Sequence, residues 1–379
     1  MQVQEGLVIC ALGNAFYRRS SQRSRDLGIL AAQVYRQSQP TLRLFDGMSG
    51  CGIRALRYLV EAAADFAWIN DADPDVQATL KENLRDRPQT QYCITQRSAQ
   101  RALIEAISQG EYFDLIDLDA FGNPLPYLGL ALQALKIGGL LYVTSTDGRS
   151  LSGQLPHQSM QQWGSYARSH PAVHEQALRI LIGAIHQQAL ALGYGIQPIV
   201  AFYQQSVFRV MVQLQAKPNP VLTKQPIAHY GFLGYCHACG SFQTVDWRQL
   251  GHISCSSCQA TPTISGPMWL GEMHHAEWLH QMRSLAEQQH NLALAQWLNN
   301  LSAEIGLPPY FYTLGAVGRR GHCDIPPRDR LANALQQAGY RFGPTHITPE
   351  GFKTNASLVT CLNILNSATT PNYHSSHKT

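Results

Sequence analysis

The feature that most constrains the fold is a regular alternation of short apolar runs and helical stretches between residues 41 and 145. Predicted strands cover 42–45, 66–69, 91–95, 113–118 and 140–145, and predicted helices cover 53–64, 74–84 and 102–108. Gly138-Gly139 is interpreted as the break between a further helix and the last strand. Such a rhythm favours parallel strands with helices on both faces. The sequence therefore predicts an α/β chain with a doubly wound sheet.

The remainder of the chain is predicted to close this sheet and then form a second domain. A helix over 173–191 precedes a hairpin of strands 199–203 and 207–214, and proline-rich residues 217–226 form a linker. Beyond it lie a Cys-rich module (about 230–262), one polar helix (276–301) and a winged-helix-like segment (about 308–356). That segment is predicted to contain helices 310–319 and 328–338, a strand over 340–346 and a loop at Gly351. The predicted domains are 1–216 and 225–362, followed by a disordered tail, 363–379.

Composition limits the class of protein. Of 379 residues, 14% are charged and 45% apolar, which is typical of globular chains and excludes a disordered one. The net charge of +4 permits a polyanionic partner without requiring one. The N-terminus has no signal-peptide pattern, and no apolar run approaches the roughly 20 residues of a membrane span. We expect a cytoplasmic protein with no membrane association, and no protein partner is evident.

The segment around the fourth predicted strand carries a carboxylate and an aromatic ring where ligands bind. Asp119 follows the strand, Phe121 comes two residues later, and Pro124 stiffens the turn. The carboxyl ends of parallel strands form the ligand-binding edge of a sheet. An aromatic ring there can stack on a planar base, while the acid accepts a hydrogen bond from an exocyclic amine. Asp117 lies two residues before Asp119, and two close carboxylates predict a raised pKa for one of them.

A glycine-rich turn follows the first strand. The stretch runs from Asp46-Gly47 through Gly52 to Arg54, and its spacing G-x-x-G-x-G differs from the G-x-G-x-x-G of dinucleotide sites. Binding of NAD is therefore disfavoured. Asp71 ends the second strand, where an acid commonly accepts the two hydroxyls of an adenosine ribose. Together with the acid and aromatic ring after strand four, this pattern predicts an S-adenosylmethionine-dependent methyltransferase.

Four cysteines form two C-x-x-C pairs. Cys236 and Cys239 are separated by fifteen residues from Cys255 and Cys258. Four thiolates at this spacing suit one tetrahedral zinc ion with no open position for catalysis. We expect a structural zinc that stabilises a module too small for its own core. His237 and His252 are nearby but are not needed as ligands.

Several stretches resemble one known family at fixed spacing. The matching stretches are Phe16-Tyr17 with Ser24-Arg25-Asp26, residues 46–58, Asn70-Asp71 with residues 81–84, 117–124, Thr146-Asp147, Gly153, Glu175, 178–181, 266–271, 308–310 and 345–354. Over about residues 14–356 the chain resembles the tRNA (guanine-26 N2)-dimethyltransferases. The resemblance implies a Rossmann-like methyltransferase sheet, a smaller α+β domain that helps bind tRNA, and transfer of one or two methyl groups to guanine N2.

The resemblance also implies roles for individual residues. The cofactor residues would be Arg25 at its carboxylate, Arg54 and Asp71 at its ribose, the turn residues Asp46, Gly47 and Gly52, and Ser98-Ala99 beside the adenine. Asp119 would be the catalytic acid–base residue, with Phe16 and Phe121 around the target base. Three departures stand out: Ser98 replaces an acid of the family, Ala120 replaces a proline, and Arg18-Arg19 replace an Asn-Pro pair.

Two alternatives stay open at this stage. One is an amino-methyltransferase acting on another base, although such sites usually carry an Asp/Asn-Pro-Pro-aromatic motif. The other is a catalytically weakened tRNA-binding or chaperone protein, motivated by Ser98 and Ala120. Basic residues in stretches poor in acids are predicted to contact tRNA phosphates. These are Arg18, Arg19, Arg23, Arg319, Arg320, Arg328 and Lys353.

Overall fold

A seven-stranded mixed sheet forms the centre of the first half of the chain. The structure is a computed structural model that describes residues 1–217, 229–322 and 324–367. The strands are β3 (Arg43–Asp46), β4 (Phe66–Asn70), β5 (Tyr92–Thr95), β6 (Phe113–Leu118), β7 (Leu135–Ser145), β8 (Gly195–Gln204) and β9 (Val207–Gln215). Their order is β5-β4-β3-β6-β7-β9-β8, with β9 antiparallel to both of its neighbours, β7 and β8. The predicted doubly wound sheet and its closing hairpin are confirmed.

Helices cover both faces of this sheet. They are α1 (Gln22–Ser38), α2 (Ile53–Glu61), α3 (Gln77–Leu84), α4 (Ala99–Ser108), α5 (Leu125–Ala134), α6 (Gly148–Leu151), α7 (Pro156–Trp163) and α8 (Val173–Ala191). All six residues of β6 are buried, as expected for a central parallel strand. Asp73 accepts from the Asp75 amide and, with Pro74, starts a 3-10 turn that leads into α3, so the α-helix begins three residues after the start of the predicted helix 74–84.

Two local features differ from the sequence prediction. The glycines Gly138-Gly139 lie inside β7, which begins at Leu135 directly after α5, so they do not separate a helix from a strand. The register between β6 and β7 shifts beside them, between Phe113 and Leu115. The N-terminal hairpin of β1 (Gln2–Glu5) and β2 (Val8–Ala11) was not predicted.

The Cys-rich module and a helical hairpin follow in the second half. Strands β10 (Tyr230–Tyr235), β11 (Phe242–Val245) and β12 (Thr263–Trp269) form an antiparallel sheet in the order β11-β10-β12. The predicted single helix 276–301 is instead two helices, α9 (Ala276–Gln288) and α10 (Leu292–Ser302). The chain turns at His290, whose φ is 57°, and Asn291 caps α10 by accepting from the Leu294 amide.

The last described segment contains a second small sheet and three helices. Its elements are β13 (Tyr312–Thr313), α11 (Leu314–Gly321), α12 (Arg328–Gln337), β14 (Phe342–Pro344), β15 (Gly351–Thr354) and α13 (Leu358–Ser367). The sheet order is β13-β15-β14. Three predictions need correction: the first helix starts at Leu314 after a strand, Gly351 begins a strand, and residues 363–367 belong to α13. The rest of the predicted tail lies outside the described residues.

Buried polar contacts join the two halves. Arg179 on α8 donates to the carbonyl oxygens of Trp269 (3.2 Å) and Gly271 (2.9 Å). Lys353 on β15 lies 2.5 Å from Glu175, also on α8. Most of the predicted linker falls on residues 218–228, outside the described part, so the domain division stays a prediction. Among the described helices, none has the length and apolarity needed to cross a membrane.

Candidate active site

A cleft of about 610 Å³ opens at the carboxyl ends of the parallel strands. Its walls come from the segment before α1, the glycine-rich turn after β3, the loop after β6 and the β8–β9 turn. Six of the predicted site residues line it: Phe16, Arg25, Arg54, Asp71, Asp119 and Phe121. The others, Asp46, Gly47, Gly52, Ser98 and Ala99, do not line the cleft. The structure thus brings together parts of the two predicted subsites, cofactor and base, in one cavity.

Asp119 is held by two guanidinium groups and a hydroxyl. Arg54, from α2, pairs with Asp119 and lies 3.5 Å from Asp117. Arg209, from β9, contacts Asp117 at 3.0 Å and Asp119 at 3.3 Å, and Thr144 donates to Asp119 at 2.7 Å. The resemblance assigns Arg54 to the cofactor, whereas its side chain here serves the two aspartates. Arg209 and Thr144 were missed by the sequence analysis, although a single arginine within the apolar run 207–214 was a signal.

These contacts lower the pKa of Asp119. The Asp119 side chain is 35% exposed toward the cleft. Its burial would raise the pKa, but the charges of Arg54 and Arg209 and the Thr144 hydrogen bond outweigh that effect. The pKa of Asp119 is therefore held well below its usual range. The sequence predicted a raised pKa for one of the two neighbouring carboxylates, Asp117 or Asp119, and Asp119 is not that group.

The carboxyl group with the raised pKa is Asp46. Complete burial at the end of β3 and the charge of Asp117 raise its pKa to about 8, with Arg54 opposing them. Neither carboxylate oxygen of Asp46 has a hydrogen-bond partner among the described residues. A buried acid without partners favours the neutral form. The environment of Asp46, beneath the cleft, therefore favours the protonated carboxyl group.

The glycine-rich turn packs tightly against the sheet. A Cβ atom on Gly47 would lie 2.9 Å from Leu118 Cδ2, and one on Gly52, whose φ is +80°, would lie 2.7 Å from Leu80 Cδ2. Asp71 accepts the Gly50 amide at 2.7 Å, which joins the turn to the end of β4. Gly47 and Gly52 therefore shape the turn from behind, while Asp71 lies at the cleft surface.

Arg25 is fixed by an acid from the N-terminal hairpin. Its guanidinium pairs with Glu5, donating from Nε at 2.7 Å, and also donates to the Arg18 carbonyl at 3.2 Å. Burial of Glu5 would raise its pKa, but the hydrogen bond and charge of Arg25 lower it overall. Arg25 lines the cleft with its orientation set by Glu5, a residue the sequence analysis did not identify.

Ser98 and Ala99 lie at the start of α4 and outside the cleft wall. The Ser98 hydroxyl accepts from the Arg101 amide at 3.4 Å as the helix N-cap, and Ala99 is buried beneath Gly47. The serine at this position therefore has a local structural role. Its predicted contact with the cofactor adenine stays a prediction.

Two exposed phenylalanines stand at the mouth of the cleft. The rings of Phe16 and Phe121 are 69% and 75% exposed and meet edge to face, with centroids 5.4 Å apart. The loop that carries Phe121 is fixed because the Gly122 amide donates to Thr146 Oγ1 at 2.6 Å. Exposed aromatic rings beside a cavity favour binding of a planar group.

Some of the basic residues predicted to contact phosphates are exposed, whereas the side chains of the others contact groups within the protein. Lys353 is 1% exposed and ion-paired with Glu175, so the prediction for it is wrong. Arg320 donates to two carbonyl oxygens of the Cys-rich module, and Arg328 donates to that of Gly351. Arg23 is half-buried, with its guanidinium over the Trp297 ring. The three that are exposed are Arg18 and Arg19, beside the cleft, and Arg319.

The four cysteines of the module converge as predicted. The Sγ atoms of Cys236 and Cys258 are 3.4 Å apart, those of Cys239 and Cys255 are 3.5 Å apart, and all four lie within 4.8 Å. Thiolates around a zinc ion at about 2.3 Å would be separated by roughly 3.8 Å. These four cysteines, the four-cysteine set, therefore fit tetrahedral zinc without a histidine ligand.

A second group of possible metal ligands suits an ion-pair network better. His274, Glu304 and His346 lie within 4.8 Å of one another. His346 Nε2 accepts from the Tyr203 amide at 3.2 Å, so its Nδ1 donates to Glu304, 2.6 Å away. Lys353 Nζ lies 3.7 Å from the second oxygen of Glu304. The positive charge of Lys353 disfavours a metal cation here, and both ring nitrogens of His346 already have hydrogen-bond partners.

Comparison with known proteins finds relatives that are similar over most of this chain. The chain is 28% identical over 374 residues to the tRNA (guanine(26)-N(2))-dimethyltransferase of Pyrococcus abyssi, covering 93% of both chains. It is 27% identical over 339 residues to the enzyme of that name from Schizosaccharomyces pombe, covering 83% of this chain and 61% of the relative.

A solved structure extends the similarity to the whole fold. It is the complex of Trm1 from Pyrococcus horikoshii with S-adenosyl-L-methionine, with a TM-score of 0.83 and 26% identity. The match covers 96% of this chain and 99% of that one. The family model for N2,N2-dimethylguanosine tRNA methyltransferase matches residues 1–366. The chain belongs to the N2,N2-dimethylguanosine tRNA methyltransferase family.

Proposed function

We propose that this protein transfers one or two methyl groups from S-adenosylmethionine to the exocyclic N2 of guanine at position 26 of tRNA. The observation that carries the proposal is Asp119, an ionised acceptor at the sheet edge, in one cleft with Phe16 and Phe121. Family membership and the names of the relatives support the same reaction. The alternative of a catalytically weakened binder has less support, because the arginines and threonine that fix Asp119 are all in place.

The donor half of the cleft fits S-adenosylmethionine. Asp71 lies at the surface beside the glycine-rich turn, where it would accept the ribose hydroxyls, and Arg25 would bind the carboxylate of the methionine part. The unpaired oxygens of Asp46 lie behind this turn. When bound, S-adenosylmethionine supplies an electrophilic methyl group on a positively charged sulfur.

The acceptor half would position and activate the base. The lone pair of guanine N2 is delocalised into the ring, so catalysis depends on holding the amine in line and withdrawing a proton from it. Asp119 would accept one N–H of this amine and take the proton as the new N–C bond forms and the bond from the methyl group to the sulfur breaks. A low pKa does not prevent this, because the methylated amine is a strong acid before it loses its proton. Phe16 and Phe121 would stack on a base extruded from the tRNA.

The second half would bind tRNA and contain structural zinc. We assign residues 1–216 to the methyltransferase domain and residues 225–362 to a tRNA-binding domain. The four-cysteine set, Cys236, Cys239, Cys255 and Cys258, would hold one zinc ion. With all four ligands supplied by thiolates, this ion would stabilise the module and take no part in methyl transfer.

The deciding experiment is nucleoside mass spectrometry of tRNA incubated with the protein and S-adenosylmethionine. The expected product is N2-methylguanosine, N2,N2-dimethylguanosine or both at position 26. A matched tRNA with adenosine at position 26 should gain no methyl group. Methylation of the adenosine-26 tRNA at the same level would contradict the proposed target, and no methylation of either would contradict the activity.

A further inference from the structure

Tyr17 lines the cleft, and the proposed reaction gives it no role. Its hydroxyl donates to Glu5 at 2.6 Å, and the guanidinium carbon of Arg25 lies 5.1 Å from the centre of its ring. Arg25 in turn donates to Glu5 from Nε at 2.7 Å. Each of the three side chains therefore contacts the other two. Through them the N-terminal hairpin, whose first strand ends at Glu5, is joined to two residues of the cleft wall.

The protonation states of these groups favour both hydrogen bonds to Glu5. Burial and the hydrogen bond to Glu5 raise the pKa of Tyr17 to about 12, so the hydroxyl keeps its proton at neutral pH and donates. The pKa of Glu5 is lowered by Arg25 in spite of burial, so its carboxylate accepts from both partners. Hydrogen bonds to an ionised acceptor are about twice as strong as those between neutral groups.

Helix α2 holds Glu5 in place from behind the cleft. Glu5 is buried, and Arg57 on α2 lies 3.4 Å from its second carboxylate oxygen. Arg57 follows Arg54 by three positions on this helix, and Arg54 pairs with Asp119. Side chains three residues apart on a helix are neighbours. The same turn of α2 therefore supports both Asp119 and Glu5.

The contacts of Glu5 reach both halves of the cleft. Glu5 accepts from Nε and Nη2 of Arg25, which leaves Nη1 for the cofactor carboxylate. Nη2 of Arg25 also donates to the Arg18 carbonyl at 3.2 Å. The segment before α1 is thus fixed at the Tyr17 hydroxyl and at the Arg18 carbonyl, and Phe16 belongs to this segment. A shift of the Glu5 carboxylate would move Arg25 on the cofactor side and Phe16 on the base side.

We infer that Glu5 is a positioning residue that aligns the cofactor half and the base half of the cleft together, through Arg25 and Tyr17; this inference rests on the proposed function. Glu5 contacts neither substrate and moves no proton. It sets the direction from which Arg25 meets the cofactor carboxylate, and through Tyr17 it sets the place where Phe16 meets the base. Such alignment matters because a misplacement of about 1 Å can lower a rate by roughly 10²-fold.

The test uses Glu5→Asp, which keeps the charge but withdraws the carboxylate by about 1.5 Å, the length of one carbon–carbon bond. The KM for S-adenosylmethionine and the kcat/KM for the guanine-26 tRNA are measured. Glu61→Asp is the matched control. Glu61 also pairs with Arg57, but the hydrogen bonds given for its carboxylate come from Arg57 and the Leu7 amide. Tyr17→Phe is the second variant, because it removes only the hydroxyl that donates to Glu5.

Glu5→Asp should affect both substrates. Its KM for S-adenosylmethionine should rise roughly tenfold and its kcat/KM for tRNA should fall roughly tenfold, as expected when a hydrogen bond to a charged group is lost. Glu61→Asp should change each value by less than about twofold, because neither Arg25 nor Tyr17 loses its partner. Tyr17→Phe should lower kcat/KM for tRNA roughly fivefold and leave the KM for S-adenosylmethionine unchanged, because Arg25 still pairs with Glu5.

Two results with Glu5→Asp would overturn the inference. One is an unchanged KM for S-adenosylmethionine, and the other is an equal change in Glu61→Asp, which would indicate a general loss of stability. If Glu5→Asp did not fold, Tyr17→Phe would decide, and a native kcat/KM for tRNA in that variant would overturn the inference. Failure of the native protein to methylate the guanine-26 tRNA would instead contradict the proposed function.

Discussion

Arg209 lies 3.3 Å from Asp119, although the two residues are 90 positions apart and Arg209 belongs to β9, which runs opposite to the strand β6 that Asp119 follows. The same guanidinium contacts Asp117 at 3.0 Å and lies 4.1 Å from the centre of the Tyr142 ring. With Arg54 it gives the two aspartates two full positive charges within a buried site. This pairing keeps Asp119 ionised and aimed at the cleft, and several predictions depend on it.

The first prediction concerns Asp119 itself. Asp119→Asn keeps the shape of the side chain but removes its ability to take a proton, so single-turnover methyl transfer should fall by roughly 10²-fold or more. Binding of S-adenosylmethionine, measured by calorimetry, should stay within a few-fold, because Asp71 and Arg25 are unchanged. A mutant with near-native transfer would show that Asp119 is not the acceptor.

The second prediction concerns the pH dependence set by Arg209. Since the folded pKa of Asp119 is depressed, this group should stay ionised throughout pH 5–9 and contribute no acidic fall in single-turnover rate. Arg209→Met removes one of the two charges, so the pKa of Asp119 should rise and the rate should begin to fall at low pH. Arg209→Lys keeps the charge, so its single-turnover rate should depend less on pH than that of Arg209→Met. Identical profiles for Met and Lys would refute this electrostatic role.

The third prediction concerns Asp46 and stability. Its folded pKa of about 8 is above the unfolded value of about 4, so the folded state holds the proton more tightly. The associated stability is complete below pH 4 and is lost as the pH rises toward 8. Asp46→Asn removes this loss. Urea unfolding should therefore show that, between pH 5 and pH 8.5, the free energy of unfolding of Asp46→Asn falls less than that of the native protein, by about 1 kcal/mol or more.

The matched control for this experiment is Asp75→Asn, which changes an exposed acid on the neighbouring turn. In Asp75→Asn, the difference in the free energy of unfolding between pH 5 and pH 8.5 should be the same as in the native protein. If Asp46→Asn behaved like this control, Asp46 would not be the buried acid of raised pKa.

Local pattern was enough to predict the elements that lie wholly inside the fold. Strand β6 (Phe113–Leu118) and helix α8 (Val173–Ala191) match their predicted bounds, because a short run of six residues suits a buried strand and a run of nineteen suits a helix. The glycines at 138–139 misled the prediction, since glycine can also mark close backbone approach within a strand. A Cβ on Gly139 would lie 3.0 Å from the Asp114 carbonyl oxygen.

Site residues that depend on distant strands could not be predicted in the same way. Arg209 reaches Asp119 through the antiparallel strand β9, and Glu5 reaches Arg25 through an N-terminal hairpin. Neither Arg209 nor Glu5 could be predicted as a partner from the spacing of nearby residues in the sequence. The lowered pKa of Asp119 could not be predicted for the same reason, because Asp117 lies only two positions away in the sequence whereas the arginines that dominate the shift do not.

The fourth prediction concerns zinc. Protein purified without chelators should contain one zinc ion per chain, held by the four-cysteine set. Cys239→Ser should lower the zinc content and the thermal stability of the module, because folding and metal binding are coupled. Cys93→Ser, which changes a cysteine on β5 outside the module, is the control. Zinc content near zero in the native protein, measured by elemental analysis, would contradict the assignment.

The last prediction concerns tRNA phosphates at the cleft mouth. Arg18 and Arg19 are exposed beside Phe16 and Phe121, so phosphates flanking an extruded base would lie within their reach. Each lost phosphate contact should reduce the slope of log affinity against log salt by roughly 0.7–0.9. The double variant Arg18→Ala with Arg19→Ala should therefore flatten the slope by about 1.5 and leave cofactor affinity unchanged. Arg85→Ala is the control, because this exposed arginine follows α3 at the edge of the sheet opposite the cleft. If both proteins gave the native slope, tRNA would be held by other cations.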